Sequence, residues 1–194
     1  APRGGAGGVA GSGLVRESRE RGRMYPLIRV GLAVARAPLA PGEAHVERTR
    51  CQPWDVDPMM ELNNGRTLTL MDIGRLPLVL RSGLMAVLRR EGWRLTMAGA
   101  TVQYRRRVRP FARLEIRSRV MGRDARFLYL EQVTATAEGP AHHAVYRAAV
   151  VERGIVPTER VVAAAGEGCV WDAAPPKWVR AWAEAEALRP WPPG

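Results

Sequence analysis

The chain has 194 residues, of which 46% are hydrophobic and 25% are charged, a composition typical of a folded globular protein and not of a disordered or membrane-embedded one. Its formal net charge is +11, but Lys177 is the only lysine, so the charge reflects arginine usage and is a weak indication of nucleic-acid binding. No Gly-x-Ser-x-Gly, P-loop or dinucleotide fingerprint occurs, which argues against several common enzyme classes.

The cysteine and histidine content argues against a secreted scaffold and against a metal site. Cys51 and Cys169 lie far apart without a surrounding motif, so we expect a reducing, cytoplasmic compartment. His45, His142 and His143 show no metal-ligand spacing with acidic or cysteine partners. The sequence therefore predicts no metal and no resident cofactor.

The amino-terminal region divides into two segments. Residues 1–23 are rich in Gly, Ala and Arg without apolar periodicity, and we expect a disordered leader. Residues 24–42 form a short apolar segment, and its uncharged run is far too short to cross a bilayer. The segment could lie on a membrane surface, but packing on the following domain is favoured, and no integral membrane segment is expected.

Residues 43–166 are predicted to form one α+β domain. A first strand over 43–51 leads into a helix, in which Pro77 should cause a kink or a split, and a second short helix follows over 84–90. Four strand-like runs separated by turn signals come next: 93–108, 112–121, 127–137 and 142–153. This order predicts an antiparallel sheet with one long helix.

Residues 167–194 form a tryptophan-rich tail. An amphipathic helix is predicted over 177–188, and it carries Trp178 and Trp182. Because so much aromatic area rarely stays exposed, we expect the helix to dock on the sheet or at a subunit interface. Covering a tunnel that holds the chain of a bound ligand is the alternative.

The stretch over residues 55–75 places carboxylates directly before the long helix. Asp55 and Asp57 flank a tight turn, and Asn63 or Asn64 can cap the helix by accepting a hydrogen bond from its first amides. The positive end of the helix dipole would then face the carboxylate loop. Such an arrangement can stabilise an oxyanion while a carboxylate attacks or activates water.

The same stretch carries a family resemblance. Its pattern, D-x-D-P-x-x-x-x-N-N-G-R-x-L-x-x-x-D-x-x-R, resembles the loop and central helix of hotdog-fold acyl-CoA thioesterases of the 4-hydroxybenzoyl-CoA thioesterase type. Within them it is most similar to the branch called thioesterase superfamily member six. Glu61 stands where that family usually has a histidine, and Thr67 where it has a tyrosine. The resemblance implies the hotdog fold, an antiparallel sheet of about five strands wrapped around one long central helix.

The resemblance also implies a reaction, the hydrolysis of an acyl-CoA thioester to a carboxylic acid and coenzyme A, with coenzyme A entering only as part of the substrate. Asp57 aligns with the catalytic carboxylate and would act as nucleophile or as general base. The backbone amide near Asn64 would be the oxyanion donor, and Glu61 is a third catalytic candidate. Alternatively, Asp55 and Asp57 are only turn residues and partners of the helix dipole.

The remaining candidates concern binding and structure. The substrate-binding candidates are Asn63, Arg66, Arg105, Arg107 and Arg109. We expect Asn63 to cap and order the loop, whereas the three later arginines would share one side of a strand end and clamp coenzyme A phosphates, unless that strand end is merely solvated. Asp72 and Arg75, three apart on the helix, suit a structural ion pair, although Asp72 could instead face a neighbouring subunit's site.

Finally, the resemblance implies a homodimer or homotetramer with sheets joined side by side and sites at the subunit boundary. One alternative is an inactive hotdog protein that binds acyl-thioesters or a protein partner. A hydratase is less favoured because such enzymes use a histidine in the loop or helix, and none lies between His45 and His142. A nucleic-acid binder lacks the expected interleaved aromatic residues.

Overall fold

The computed structural model describes residues 37–190 and 192. The predicted leader over 1–23, most of the predicted apolar segment over 24–42, and Trp191 therefore lie outside the described residues. The elements, in chain order, are β1 (His45–Arg50), a short 3-10 helix (Pro53–Asp55), α1 (Asn64–Arg81), α2 (Leu84–Glu91), β2 (Arg94–Tyr104), β3 (Arg113–Arg123), β4 (Leu128–Thr136), β5 (Gly139–Val151), α3 (Thr158–Ala165) and α4 (Lys177–Ala187).

The five strands form one antiparallel sheet in the order β1-β3-β4-β5-β2, and α1 packs against one of its faces, here called the inner face. This confirms the predicted α+β architecture of five strands around one long helix. The alternation on β3 decides which side chains reach the core. Leu114, Ile116 and Ser118 are buried towards α1, whereas Arg113 and Arg117 point to the opposite, outer face.

Helix α1 continues through Pro77 without interruption, so the predicted split of the helix at this residue is wrong. Proline removes one backbone donor and crowds the preceding turn, which disfavours an isolated helix. Here Pro77 is buried in the face that packs on the core, together with Leu78 and Val79. Tertiary burial of this face therefore outweighs the local penalty.

The close approach of α1 to the sheet centres on Gly74. A Cβ atom at this position would lie 2.9 Å from Cγ2 of Ile116, so any larger residue requires the Ile116 side chain or the helix to shift. Polar groups are matched at the same depth. The Gln132 amide nitrogen donates to the Met71 carbonyl and to Ser118 Oγ, each at 2.8 Å. The helix backbone is thus tied to two strands.

Arg75 is a buried cation beside this contact, with only 8% of its surface exposed. Its Nη2 pairs with Asp72, so the predicted ion pair is present. Its Nη1 donates to Gln132 Oε1 at 3.3 Å, and its guanidinium lies 4.0 Å from the centre of the Tyr146 ring. Burial lowers the pKa of Arg75, and Tyr146 acts against that change. The charge is therefore held by several partners rather than left unpaired.

The tail helix α4 lies on the outer face of the sheet, which confirms that it docks on the sheet. Val179 is fully buried in a cluster with Tyr129 and Val145, and Trp182 contacts Tyr129 edge-to-face at a centroid distance of 6.4 Å. Before this helix, Trp171 enters the main core with 1% exposure. Among the described residues, no helix combines the length and the apolarity that crossing a bilayer requires.

The contact at Gly74 generates a prediction for stability. Gly74→Ala gains about 1 kcal/mol of helix propensity. It also forces a methyl group against Ile116, and overpacking of this kind costs roughly 1–3 kcal/mol. We expect the cost to exceed the gain, with a net loss of up to about 2 kcal/mol in the free energy of unfolding, measured by urea denaturation.

Gly154→Ala is the matched control, since a Cβ there meets no atom within 4 Å and the backbone is not left-handed. This control should stay close to the parent protein. A Gly74→Ala variant that is more stable than the parent would contradict the close-contact explanation.

Candidate active site

The candidate site lies at the amino-terminal end of α1, where two loops meet the helix. The amide of Leu62 donates to the Val108 carbonyl at 2.8 Å, and the amide of Cys51 donates to the Ala112 carbonyl at 3.0 Å. The amide of Asn63 donates to the carbonyl of Asp55 at 2.9 Å. These bonds hold loop 51–63 and loop 105–112 against each other.

Asp55 is a buried carboxylate, and both of its oxygens accept hydrogen bonds within the protein. Its Oδ1 accepts from Arg66 Nε at 2.8 Å and Nη2 at 2.6 Å, and its Oδ2 accepts from the amide of Gln52 at 2.9 Å. Charge-assisted bonds of this kind are among the strongest in proteins. Asp55 therefore orders the loop, and Arg66, a predicted substrate-binding residue, is committed to it.

Asp57 opens a tight turn and is only half-buried. Its Oδ1 accepts from the amides of Met59 at 2.9 Å and Glu61 at 3.4 Å, and its own amide donates to the Glu61 carbonyl at 2.9 Å. Met60 closes the turn in the left-handed region with φ of 58°. Within residues 37–190 and 192, Oδ2 of Asp57 has no hydrogen-bond or ion-pair partner, so one oxygen is anchored and the other is available for chemistry.

Asn63, and not Asn64, is the N-cap of α1; both were predicted as candidates. Its Oδ1 accepts from the amides of Gly65 at 2.8 Å and Arg66 at 3.2 Å, and its carbonyl accepts the first helical bond from Thr67. Among the described residues, the amide of Asn64 is then the one first-turn donor without an acceptor. An unsatisfied amide at the positive end of a helix dipole is suited to an oxyanion.

Glu61 connects the two loops. Its carboxylate lies 3.0 Å from Nε of Arg107, whose side chain is 77% exposed. An ion pair with so exposed a partner contributes only modestly to stability. The pair nevertheless brings Arg107, a predicted substrate-binding residue, next to the turn of Asp57.

The expectation that Arg105, Arg107 and Arg109 share one side of a strand end is wrong. Strand β2 ends at Tyr104, so the three arginines lie in a loop to which strand alternation does not apply. Arg105 donates to the side chain of Gln103 at 3.3 Å. In the part of the chain that the structure describes, the side chain of Arg109 makes no polar contact. Their role in binding substrate stays a prediction.

Sequence reasoning missed His142, which β5 brings to the start of α1. The imidazole is 4% exposed, its Nδ1 lies 3.4 Å from Thr67 Oγ1, and its ring contacts the Tyr104 ring edge-to-face at 5.3 Å. Burial lowers the pKa of His142, against the smaller effects of the Arg106 backbone and the Glu61 charge. The site therefore contains a neutral imidazole at neutral pH, from a strand and not from the loop.

A cysteine nucleophile and a metal ion are both disfavoured at this site. Cys51 is fully buried, and burial together with the Asp55 charge raises the pKa of its thiol, which makes it a poor nucleophile. Within the described ranges, no three His, Cys, Asp or Glu side chains lie close enough together to hold a metal ion. Asp55 is bound to Arg66 and Gln52, so Asp57 and Glu61 are the other carboxylates of the loop that could take part in a reaction.

Large apolar side chains are exposed on the two loops that form the site. Trp54, Met59, Met60 and Phe111 are between 62% and 72% exposed. Phe111, like Met60, adopts a left-handed backbone conformation, with φ of 65°. An exposed group of this size is typical of a surface that contacts a partner or a ligand.

Comparison with known proteins agrees with this geometry. The sequence profile of the Thioesterase-like superfamily matches residues 51–170, which is more than half of the chain. Protein THEM6 from Xenopus laevis is 38% identical over 80 residues, or 41% of this chain. The matched region spans only 39% of the length of that relative.

Solved structures show the same fold. The probable thioesterase YbaW from Escherichia coli superposes with a TM-score of 0.60 at 17% identity, covering 65% of this chain and 98% of that one. The DHNA-CoA thioesterase from Staphylococcus aureus superposes with a TM-score of 0.54 at 13% identity, covering 75% of this chain and 92% of that one. These likenesses show a hotdog fold, and together with the sequence match they show that the chain belongs to the Thioesterase-like superfamily.

Proposed function

We propose that this protein is a thioesterase that hydrolyses acyl-CoA thioesters to a carboxylic acid and coenzyme A. The observation that carries the proposal is that Oδ2 of Asp57 and the amide of Asn64, both just before or at the start of α1, have no hydrogen-bond partner among the described residues. Hydrolysis of a thioester can proceed with these two groups, since the thioester carbonyl is electrophilic and a thiolate leaves readily. Members of the superfamily are typically thioester hydrolases.

Two routes use the same groups. In the first, Asp57 attacks the thioester carbonyl, the C–S bond breaks, the coenzyme A thiolate leaves, and water hydrolyses the resulting mixed anhydride. In the second, Asp57 accepts a proton from water as the water attacks the carbonyl, and the resulting tetrahedral intermediate breaks its C–S bond and releases the coenzyme A thiolate. In both, negative charge develops on the carbonyl oxygen, and the Asn64 amide stabilises it at the positive end of α1.

Substrate binding is proposed at the same end of the molecule. Arg107 reaches past Glu61 into solvent, and the neighbouring Arg105 and Arg109 are exposed. Guanidinium groups bind phosphate oxygens bidentately, so this loop suits the phosphates of coenzyme A. We place the protein in the cytoplasm, where acyl-CoA is available and cysteines stay reduced.

Binding of acyl-thioesters without hydrolysis is the second candidate function. The observation that favours it is the ion pair of Glu61 with Arg107, at the position where the resembling family usually has a histidine. His142 argues against this second function, because β5 supplies a neutral imidazole to the site although the loop has none.

We also propose a homodimer formed through the edge strand β2. Among the described strands, β2 pairs on one side only, with β5, and it is 11 residues long. Met97 and Tyr104 on it are large side chains with 39% and 42% exposure. A long edge with exposed apolar groups favours pairing with a second copy.

The first prediction from the proposed function concerns the carboxylate of Asp57. Asp57→Asn should lower kcat by about 100-fold or more, because the amide neither attacks nor accepts a proton. Release of free thiol from short-chain, long-chain and aryl acyl-CoA substrates measures the effect and identifies the substrate class.

Glu61→Gln is the matched control in the same loop, and it should keep kcat within roughly fivefold, since its exposed ion pair contributes little. Loss of activity in Glu61→Gln but not in Asp57→Asn would transfer the catalytic role to Glu61. If neither the parent nor the variants hydrolyse any substrate while acyl-CoA still binds, the second candidate function is correct.

The second prediction tests the backbone amide of Asn64. Asn64→Pro removes that amide, and proline suits this first helical position. Asn63 already has φ of −59° and ψ of 138°, as a residue preceding proline prefers. We expect kcat to fall by about 100-fold with little change in the melting temperature.

Asn64→Ala keeps the amide and removes only the side chain, so it should retain activity within a few-fold of the parent. Equal activity of the alanine and proline variants would show that the amide is not the oxyanion donor.

The third prediction concerns assembly. Light scattering after size-exclusion chromatography should give twice the chain mass of 21.4 kDa. Ala100→Lys, on the exposed middle of β2, should shift the protein to monomer, because each lysine would face its counterpart across the paired edges. Ala86→Lys, on the exposed side of α2, should leave the dimer intact. Monomeric parent protein would refute the β2 interface.

A further inference from the structure

A groove of about 940 Å³ opens on the outer face of the sheet, on the side that does not carry α1. Its charged lining comes from β1 and β3 and consists of Arg48, Arg50, Arg113, Glu115 and Arg117. Its floor comes from β4, which contributes Val133, and from the start of β5. Small-molecule sites in proteins occupy roughly 300–1,000 Å³, so the groove has the size of such a site.

The groove is strongly basic, with four arginines and one glutamate in its lining. Glu115 is shared between two of these arginines. It lies 2.7 Å from Arg117 Nε and 3.2 Å from Arg48 Nη2, and the hydrogen bond from Arg117 is the largest effect that lowers the pKa of its carboxyl group. The single negative charge is thus already engaged, and the remaining positive charge is concentrated on Arg50 and Arg113.

Arg50 and Arg113 lie directly opposite each other on the antiparallel strands β1 and β3. Directly opposed residues have Cβ atoms about 4.5–5.5 Å apart, and like charges at such positions are destabilising. Both side chains are exposed, and among the residues of the described ranges neither guanidinium has a carboxylate or a hydrogen-bond acceptor. An anion bound between them would remove the repulsion.

We propose that this groove binds a small molecule carrying a phosphate group, with the phosphate held between Arg50 and Arg113. A guanidinium presents two parallel donors that match phosphate oxygens, and two opposed guanidinium groups can contact one phosphate from both sides. The floor at Val133 and Ala135 is apolar and accepts the rest of the molecule. Among the described residues, the lining contains no aromatic side chain for base stacking, which argues against single-stranded nucleic acid.

The groove opens on the opposite face of the sheet from the candidate active site, and the two adjoin only through Gln52 of loop 51–63 among the described lining residues. Asp57 and the Asn64 amide lie at the start of α1, on the inner side of the sheet, whereas Arg50 and Arg113 project from the outer face. Binding here is therefore a property of this chain in addition to thioester hydrolysis, and it does not depend on the proposed activity.

The test uses the full chain with inorganic pyrophosphate as the probe, titrated by calorimetry at constant ionic strength set with chloride. The parent protein should bind pyrophosphate, and Arg113→Gln should bind it roughly 10- to 100-fold more weakly, since charge-assisted hydrogen bonds are lost. Arg94→Gln is the matched control, because Arg94 is an exposed strand arginine outside the groove, and its affinity should be unchanged.

A second readout is the melting temperature, measured first without the probe and then with it. Without phosphate or pyrophosphate in the buffer, Arg113→Gln should melt at a higher temperature than the parent, because the cross-strand repulsion is removed. Pyrophosphate should then raise the melting temperature of the parent and of Arg94→Gln but not that of Arg113→Gln.

Three outcomes would overturn the proposal. The first is absence of pyrophosphate binding by the parent, and the second is equal affinity in all three proteins. The third is sedimentation with phosphatidylglycerol vesicles that requires Arg113 while pyrophosphate does not bind, which would assign the arginines to a membrane surface instead.

Discussion

The contact between the middle of α1 and the centre of the sheet is the constraint on which the rest of the molecule depends. Gly74 lets the helix backbone approach β3, and Gln132 uses its amide to satisfy a helix carbonyl at that depth. Arg75 fills the adjacent space with its charge held by Asp72, Gln132 and the Tyr146 ring. Because these contacts are directional as well as apolar, they fix the position of the helix along its axis. The first turn, where the candidate chemistry lies, is thereby fixed relative to the strands.

The loop before the helix shows how two nearby carboxylates acquire different roles from their surroundings. Asp55 is buried and receives hydrogen bonds on both oxygens, so it holds the loop in place. Asp57, two residues later, accepts hydrogen bonds from the amides of its own turn with one oxygen, and its other oxygen has no partner among the described residues. Asn63 acts similarly on the helix, since it satisfies two amides of the first turn and leaves the third. Function is thus concentrated on the few groups that the local structure does not satisfy.

Features with a local origin could be predicted from the sequence. Alternation on β3, capping by an asparagine and the Asp72–Arg75 pair all involve residues a few positions apart. The site contacts that were missed join distant segments. His142 meets Thr67 only because the register of β5 in the sheet places it there, and no local pattern specifies that register. The available signal was that His142, Ala144 and Tyr146 occupy alternate positions along the strand, which predicts that all three face inwards. The error at Pro77 has the same cause, since packing of the helix overrides a local preference.

The position of the tail shows that the domain and the tail form one folding unit. A change in composition near residue 166 predicts a boundary between domain and tail, but packing crosses it. Trp171 completes the main core, and α4 covers an apolar strip formed by Tyr129 and Val145 on the sheet. Removing the tail would expose that strip and open the core at once. The tail is therefore not an exchangeable appendage: a homologue without it needs different residues on the same strands, and in evolution the two must change together.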